Sequence, residues 1–274
     1  KVALITGGSG GIGRVISKAF LEEGAKLIIA SNNKKELEAS FKKLKKFGEI
    51  KAIQTDITNV EEVENLIKQI KDLYGKIDIL INMVGTQIPI GPLVELKTNE
   101  LIKNIEINLI GVIVCCKEVL PIMIKNKGGK IINFSGGGAL VPRPNFSIYG
   151  SAKTAVVRFS ETLAEEVKNF GIDVNIIAPG ALNTKMVKDV IDAGDKAGKE
   201  ELAKALEIKN KGGTSPEIVA KLAVFLSSEV SNGITGKLIS APWDDWKNFD
   251  KNVSNSSLYT LRRIDNKNFV EKND

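Results

Sequence analysis

Short runs of Ile, Val and Leu alternate along the whole chain with longer segments in which apolar residues recur every three or four positions. The short runs have the length and β-branched content of buried strands, and the longer ones have the period of amphipathic helices. Strands that alternate with helices form a parallel sheet covered on both faces. The pattern predicts one α/β domain with a doubly wound parallel sheet of about seven strands, at 2–5, 26–30, 51–54, 77–81, 130–134, 173–177 and 237–240.

Local signals mark helix starts and two irregular segments. Thr58 and Glu61 have the spacing of a capping box, and Pro216 after Ser215 is typical of a first helical turn. Residues 184–213, which are charged and helical in pattern, and the tail from residue 242 leave the alternation of strands and helices. We expect residues 1–241 to form one domain that residues 242–274 extend. A doubly wound sheet binds its ligand at the carboxyl ends of its strands.

The composition excludes several kinds of chemistry. The 274 residues, 43% of them hydrophobic, suffice for one large core and are too few for two enzyme domains. The absence of histidine removes the commonest zinc ligand and the usual base of serine and cysteine hydrolases. Cys115 and Cys116 are neighbours in an apolar helical run, a poor geometry for a disulfide or a metal site. We expect buried, inert thiols and no metal.

The net charge of +6 comes from lysines that lie mostly in mixed helical segments, which is typical of solvated helix faces. No nucleic-acid-reading module accompanies them, so we expect no nucleic-acid partner and only a mild attraction for phosphorylated ligands. No run approaches the roughly 20 uninterrupted apolar residues of a membrane span, and the first residues have the pattern of a strand rather than of a signal peptide. We expect a cytoplasmic protein without a membrane partner.

A glycine-rich loop follows the first predicted strand. Residues 6–13 read Thr-Gly-Gly-Ser-Gly-Gly-Ile-Gly, and a helical pattern begins at Ile12. Glycine lets the backbone approach a pyrophosphate, and the free N–H groups and the dipole of a helix amino terminus attract its charge. A tight strand-to-helix turn would explain the same glycines. The strand before them and the helix after them are nevertheless the context that a dinucleotide site requires.

Tyr149 and Lys153 stand four residues apart in a helical pattern, so they share one helix face. An ammonium beside a phenol stabilises the phenolate and lowers the tyrosine pKa towards the working pH. Such a group can both give and take a proton, which suits a redox enzyme that moves hydride and proton together. The spacing alone is common by chance, so its meaning depends on the glycine loop.

Together, the glycine loop and the Tyr149–Lys153 pair resemble the classical short-chain dehydrogenase/reductase family over residues 1–241. The resemblance implies a Rossmann-type fold and an NAD(P)-dependent oxidoreductase that moves a hydride between the nicotinamide and a secondary alcohol or carbonyl. It implies that Tyr149 is the general acid/base, that Lys153 lowers its pKa and binds the nicotinamide ribose, and that Asn108 supports a water-mediated proton relay. The implied cofactor residues are Gly7, Ser9, Gly11, Ile12, Gly13, Asp56, Ile57, Asn82, Gly85, Tyr149, Lys153, Pro179, Gly180 and Thr184.

The family has a fourth catalytic residue, a serine whose hydroxyl polarises the substrate carbonyl. Ser135 follows the strand predicted at 130–134, where this serine belongs, but it precedes Tyr149 by fourteen residues rather than the usual thirteen. The thirteenth position is Gly136. Either the loop carries an extra residue and Ser135 still reaches the carbonyl, which we favour, or the enzyme acts without this hydroxyl.

The end of the second predicted strand bears on the choice between NAD and NADP. An acidic side chain there accepts the ribose hydroxyls of NAD and repels the 2′-phosphate of NADP. Residues 30–35 contain no carboxylate. Ser31, Asn32 and Lys34 are candidates to hold the phosphate, which favours NADP, and the absence of an arginine leaves NAD open.

Three arginines are candidates for contact with the substrate. Arg143 lies between two prolines before Tyr149, where it either clamps a carboxylate or phosphate or faces solvent. Arg262 and Arg263 lie in the tail, which is too apolar and aromatic at 258–263 for disorder. We expect the tail to pack on the body or a neighbouring subunit and shape the substrate pocket, and residues 184–213 to form a lid. A polar or anionic, sugar-like substrate is favoured over polyols and acyl ketones.

Apolar helical segments at 101–125 and 151–169 favour a homo-oligomer, a dimer or a tetramer, although a monomeric core would have a similar pattern. The alternative function is that of a non-catalytic relative that senses the cofactor and binds a partner protein. Such relatives typically lose the tyrosine or the lysine, and both are present here. An epimerase or dehydratase of nucleotide sugars would have a different glycine spacing and a larger carboxyl-terminal domain.

Overall fold

The computed structural model describes residues 1–262 and contains the predicted doubly wound sheet. Seven strands, all parallel, are arranged in the order β3-β2-β1-β4-β5-β6-β7. Each begins and ends within two residues of its predicted position. The strands are β1 (Val2–Thr6), β2 (Lys26–Ser31), β3 (Ile50–Gln54), β4 (Ile79–Asn82), β5 (Gly129–Phe134), β6 (Ile172–Ala178) and β7 (Leu238–Ser240).

Helices cover both faces of this sheet. On one face α1, α2 and α9 bury their apolar stripes, and on the other α3, α5 and α6 do the same. The helices are α1 (Gly11–Glu22), α2 (Lys34–Leu44), α3 (Val60–Tyr74), α4 (Thr98–Ile105), α5 (Gly111–Lys125), α6 (Ser147–Val167), α7 (Lys185–Ala193), α8 (Lys199–Lys211) and α9 (Pro216–Ser227).

Strand β1 lies near the centre of the sheet and shows why its sequence is apolar throughout. Ala3 and Ile5 face the first layer of helices, while Val2 and Leu4 face the second. Because neighbouring strand residues point to opposite faces, a strand with helices on both sides needs a continuous apolar run. The same requirement explains β2 and β6.

The start of α3 differs from the predicted capping box. Asn59, not Thr58, is the capping residue, and its side-chain oxygen accepts from the backbone N–H groups of Glu61 and Glu62. Thr58 is occupied elsewhere, because its backbone and hydroxyl both donate to Asp56 Oδ1. The box is therefore shifted by one residue, with Glu62 Oε1 accepting from the Asn59 amide at 3.2 Å. Ser215 and Pro216 begin α9 as predicted.

One helical stretch, Thr98–Lys125, is long and apolar enough to cross a membrane by length and composition alone. It consists of α4, a π-helical turn (Glu106–Ile110) and α5. Its apolar character has a structural explanation, since Val112, Cys115 and Val119 are buried against α3 and the sheet. Ile102 and Ile110 remain exposed on its outer side.

The tail first packs Trp246 against α9, and its residues 256–261 then lie along the open edge of the sheet at β7. The backbone N–H of Leu238 donates to the Tyr259 carbonyl at 2.7 Å, and the buried Lys237 ammonium donates to the carbonyls of Ser256 and Leu258. Leu261 joins a small apolar cluster with residues of β6 and β7. An unpaired sheet edge is a template for unwanted pairing, and the tail covers this one.

The tail is also fastened to α6 through Glu161, a buried carboxylate. It accepts from the Leu261 backbone N–H at 2.6 Å and forms ion pairs with Arg158 and Arg262. The Arg158 guanidinium in turn donates to the Leu261 carbonyl. The end of the described chain is thus held by one acidic side chain.

We predict that Glu161→Ala loosens the tail. The variant loses charge-assisted hydrogen bonds at a buried position, which should lower the free energy of unfolding by about 1–2 kcal/mol and speed tryptic cleavage at Arg262 several-fold. Glu165→Ala is the matched control, because Glu165 lies on the same helix, is exposed and pairs with Lys168. Equal cleavage rates in both variants would show that Glu161 does not hold the tail.

Candidate active site

The glycine loop turns between β1 and α1 with little space for side chains. Gly7 has a φ of 75°, and a Cβ on Gly13 would lie 2.3 Å from the Gly7 carbonyl oxygen. The capping residue of α1 is Gly10, which offers no side-chain cap, and Gly11 faces open space. The amino terminus of α1 is therefore not capped by the side chain of its capping residue. This cradle fits the pyrophosphate of a dinucleotide, so the residues present are compatible with the cofactor.

The residues expected around the adenosine lie together beyond β2 and β3. Asn32 Nδ2 donates to Asp56 Oδ2 at 3.3 Å, and Ser31 Oγ accepts from the Asn33 backbone. Partial burial of Asp56 disfavours its ionised form, but hydrogen bonds from Thr58 and Asn32 outweigh this effect and lower its pKa. Lys34 begins α2 and is exposed.

Asn82 does not present its side chain to this cradle. It is buried, donates to Asn133 Oδ1 at 2.9 Å and accepts from the Thr6 hydroxyl. Asn133 continues the network by donating to Ser160 Oγ at 2.8 Å. A buried amide needs partners for its donors and acceptor, and this network across β1, β4, β5 and α6 supplies them. The side chain thus joins the ends of three neighbouring strands to α6.

Gly85, Asn108 and Lys153 meet beside β4. A Cβ on Gly85 would lie 2.9 Å from Asn108 Oδ1 and 3.3 Å from Lys153 Nζ, so only glycine fits between them. Asn108 lies in the π-helical turn, where its amide exchanges hydrogen bonds with the Thr86 backbone at 2.7 and 3.1 Å. Single π-helical turns inside α-helices occur frequently at functional sites. Here the turn directs the Asn108 side chain towards the loop that follows β4.

Tyr149 and Lys153 lie on the buried face of α6, as their spacing predicts. Lys153 Nζ lies 5.9 Å from the Tyr149 ring centroid and donates to the Phe134 carbonyl at 3.1 Å. Burial raises the pKa of Tyr149 to about 12, and the charge of Arg143 opposes this rise. Burial lowers the pKa of Lys153 to about 8. The expected lowering of the Tyr149 pKa is therefore corrected: removal from water outweighs the charges nearby.

The position opposite the phenol belongs to Gly136, not to Ser135. A Cβ on Gly136 would lie 2.1 Å from Tyr149 Oη, so the phenol fills the space that a side chain there would need. Ser135 is buried at the end of β5, where its backbone N–H donates to Ile177. Within residues 1–262 its hydroxyl makes no hydrogen bond to Tyr149. The Tyr149 phenol therefore lies against the backbone of Gly136.

Residues 184–213 form α7 and α8, which lie over the loops that follow β4 and β5. Val187, Val190 and Ala205 pack there against Ile90 and Phe146. Thr184 precedes α7, and Gly180 has a φ of 78° close to Thr214 and Pro242. The turn after β6, which contains Pro179 and Gly180, therefore connects the sheet to this helical cover.

The two described candidate arginines for the substrate are both paired with glutamates. Arg143 is largely buried and contacts Glu201 Oε2 through Nη2 at 2.7 Å, and its guanidinium stacks 3.6 Å from the Phe146 ring centroid. It is neither a free clamp nor a solvent-facing side chain. Arg262 pairs with Glu161, twelve residues beyond Tyr149 on α6 and thus about 18 Å along the helix, which corrects its expected place in the pocket. Arg263 lies outside the described residues.

The cysteines and possible metal ligands offer no further chemistry in the described chain. Burial raises the pKa of Cys115 to about 12, and that of Cys116 is raised too, mainly by burial. Low thiolate content makes such thiols unreactive. No group of three or more His, Cys, Asp or Glu side chains within residues 1–262 is placed to hold a metal ion.

Comparison with protein families matches residues 1–194 to the family described as short chain dehydrogenase. The chain belongs to the short chain dehydrogenase family. The uncharacterized oxidoreductase YxjF of Bacillus subtilis (strain 168) is 33% identical over 246 residues, which cover 87% of this chain and 95% of YxjF. The 3-oxoacyl-[acyl-carrier-protein] reductase FabG of Thermotoga maritima is 31% identical over 240 residues, 87% of this chain and 95% of FabG. The structure of ElxO with NADP bound has a TM-score of 0.76 and 32% identity, covering 88% of this chain and 96% of that one.

Membership of the short chain dehydrogenase family makes this chain an NAD(P)-dependent oxidoreductase that acts on CH–OH or C=O groups.

Two residues of the site could not be predicted from the sequence. Gln87 and Glu201 both contact Arg143, from the loop after β4 and from α8. Both lie more than fifty residues from it, and neither belongs to a motif, so only the folded chain reveals their contacts.

In this short chain dehydrogenase, we predict that Lys153→Met stabilises the fold while removing the buried charge. Met has a similar volume, and burying the ammonium costs the wild-type fold stability at neutral pH, so the variant should gain about 2 kcal/mol at pH 7. The folded pKa of about 8 lies below the usual 10.5, so the unfolded chain binds more protons between these values. Wild-type stability therefore rises with pH across this window, and the advantage of the variant shrinks.

Urea unfolding at about pH 7 and pH 9.5 measures both effects. Lys209→Met is the control, since Lys209 is exposed on α8. A Lys153→Met variant that is less stable than wild type at both pH values would contradict the predicted cost of burial.

Proposed function

We propose that Tyr149 is the general acid/base of this oxidoreductase and that Lys153 and Asn108 support it. In the oxidation of a secondary alcohol, the hydroxyl proton passes to the ionised oxygen of Tyr149 and forms the phenol, the C–H hydrogen leaves with its electron pair, and a C=O bond forms; the reverse reaction starts from the phenol. When bound, the nicotinamide accepts this hydride, or donates it in the reverse reaction. The observation that carries the proposal is the convergence of Tyr149, Lys153 and Asn108 around Gly85 and Gly136.

The supporting residues act on protons and orientation. Lys153 places a positive charge on the same helix face as the phenol, which favours the phenolate during proton transfer. Asn108 lies next to Lys153 across Gly85 and would orient a water that carries the proton onward. For Ser135 we propose no contact with the carbonyl, because Gly136 stands opposite the phenol. The presence of both Tyr149 and Lys153 in one site also argues against a non-catalytic sensor.

NADP is the cofactor that we propose for this site. The cradle of Gly7, Gly11 and Gly13 would hold the pyrophosphate, and Asp56 and Ile57 would lie beside the adenine. Ser31, Asn32 and Lys34 would receive the 2′-phosphate, since β2 ends without a carboxylate. ElxO, the relative of solved structure, has NADP bound.

The substrate class that we propose is a polar, sugar-like carbonyl or secondary alcohol. The pairing of Arg143 and Arg262 with glutamates removes much of the support for an anionic group. Acyl ketones remain the second candidate, because FabG of Thermotoga maritima is named as a 3-oxoacyl-[acyl-carrier-protein] reductase. A homo-oligomer in the cytoplasm, with residues 184–213 as a lid, belongs to the same proposal.

Calorimetric titration with NADPH and NADH tests the cofactor. We expect NADPH to bind at least about tenfold more tightly, because the 2′-phosphate gains polar contacts and meets no carboxylate at the β2 end. Asn32→Asp should reverse the preference by adding a carboxylate there, and Asn59→Asp is a control on the neighbouring helix start. Equal binding of both cofactors by wild type would contradict the NADP proposal.

Turnover of a panel of polar ketones and acyl ketones with the preferred cofactor tests Tyr149. We expect Tyr149→Phe to lower the rate by about 10²–10⁴-fold with little change in cofactor binding, because only proton transfer is lost. Ser135→Ala should stay within a few-fold of wild type. Full activity of Tyr149→Phe would overturn the proposed acid/base, and a loss in Ser135→Ala as large as that in Tyr149→Phe would return the carbonyl-polarising role to Ser135.

A further inference from the structure

The phenol of Tyr149 and the guanidinium of Arg143 lie along consecutive residues of one short glycine run. A Cβ on Gly136 would lie 2.1 Å from Tyr149 Oη, and a Cβ on Gly137 would lie 3.6 Å from Arg143 Nη1. Gly138 continues the contact, with Arg143 Cβ 3.4 Å from the corresponding position. A bare backbone thus separates the two polar groups, because Gly136 and Gly137 place no side chain between them.

The guanidinium of Arg143 is held from several sides. Its Nε and Nη2 both contact Glu201 Oε2, at 2.8 and 2.7 Å, and its Nη1 donates to Gln87 Oε1 at 3.3 Å. The ring of Phe146 lies against its flat face. Gln87 is buried and donates onward to the Met186 carbonyl on α7. An arginine fixed in this way places its charge at one point rather than over a range of rotamers.

We propose that Arg143 supplies a positive charge that stabilises the Tyr149 phenolate across the glycine run, and that Gln87 and Glu201 are the positioning residues that hold this charge. The inference rests on the proposed role of Tyr149 as acid/base. The proposal also explains Pro142 and Pro144 on either side of Arg143, because prolines restrict the backbone there and so help to fix the position of the guanidinium. Arg143 then acts through Tyr149 rather than as a clamp for the substrate.

The charges that face these groups set the expected signs. Lys153 on α6 and Arg143 in the loop face Tyr149, while Glu201 faces Arg143 from α8 and also pairs with the exposed Lys204. A positive charge in a buried site lowers the pKa of the phenol, and a negative charge raises it. Removing the Arg143 charge should therefore raise the Tyr149 pKa, and removing the Glu201 charge should lower it.

A purely mechanical role makes a different prediction. The Arg143–Glu201 and Gln87–Met186 contacts also fasten α7 and α8 to the loops beneath them. If these residues served only as a latch, loss of either charge would loosen the cover and admit water to Tyr149. Better hydration lowers the pKa of a buried phenol, so both variants would then shift the Tyr149 pKa in the same, downward direction.

The test is a fluorine NMR titration of protein in which tyrosine is replaced by 3-fluorotyrosine, whose phenol is more acidic than that of tyrosine. The chain has three tyrosines, Tyr74, Tyr149 and Tyr259, so single Tyr→Phe variants assign each signal. The variants are Arg143→Gln, Arg143→Lys and Glu201→Gln. Glu207→Gln is the control, because Glu207 is exposed on α8 and pairs with Lys211.

We expect Arg143→Gln to raise the Tyr149 pKa by about one pH unit and Glu201→Gln to lower it, with Arg143→Lys and Glu207→Gln close to wild type. A downward shift in both Arg143→Gln and Glu201→Gln, or no shift in either, would overturn the proposal. If Arg143→Gln does not fold, the titration of Glu201→Gln together with amide hydrogen exchange of α7 and α8 decides: a lowered Tyr149 pKa with unchanged exchange supports the charge, and any other result rejects it.

This titration uses neither cofactor nor substrate, so its outcome is separate from that of the proposed function. Tyr149→Phe with full turnover would reject the acid/base role even if the pKa shifts follow the predicted signs. Conversely, an inactive Tyr149→Phe variant combined with equal shifts in the Arg143 and Glu201 variants would reject only the role of Arg143.

Discussion

The contact between the Tyr149 phenol and the backbone of Gly136 is the constraint on which the site depends. The phenol fills the space where a side chain at position 136 would stand, so the loop after β5 must be glycine at that residue. Lys153 lies one turn further along α6, on the same buried face as Tyr149. Arg143, in the same loop, lies on the other side of the glycine run, where it binds Gln87 through a hydrogen bond and Glu201 through an ion pair.

Burial has two effects on the groups of this site: it disfavours their ionised forms, and it strengthens the effect of a nearby fixed charge. A phenol and an ammonium removed from water both resist ionisation, which explains the raised Tyr149 pKa and the lowered Lys153 pKa. In the same low-dielectric surroundings, however, a fixed charge acts more strongly than it would in water. The charge of Arg143, which lies along the same glycine run, can therefore act on Tyr149. The polar network from Thr6 through Asn82 to Ser160 keeps the strand ends beneath this site in register.

The sheet and the location of the cofactor cradle could be predicted from the sequence pattern alone. Continuous apolar strands and a glycine loop between a strand and a helix are local signals, so β1, α1 and the Tyr149–Lys153 face of α6 could be predicted. The contacts of Gln87 and Glu201 could not, because they join segments distant in sequence and follow no spacing rule. The side-chain partners of Asn82 and Arg262 could not be predicted either. Asn82 donates a hydrogen bond to Asn133, and Arg262 forms an ion pair with Glu161.

The most direct test of the central contact compares Gly136→Ala with Gly137→Ala. A methyl group at position 136 would collide with the Tyr149 phenol, whereas one at position 137 would make only an ordinary contact with Arg143. The rate of carbonyl reduction with the preferred cofactor should fall by about 10²-fold or more in Gly136→Ala, because the acid/base is displaced, while cofactor binding persists. Gly137→Ala should stay within a few-fold of wild type. Equal activity of the two variants would contradict the account.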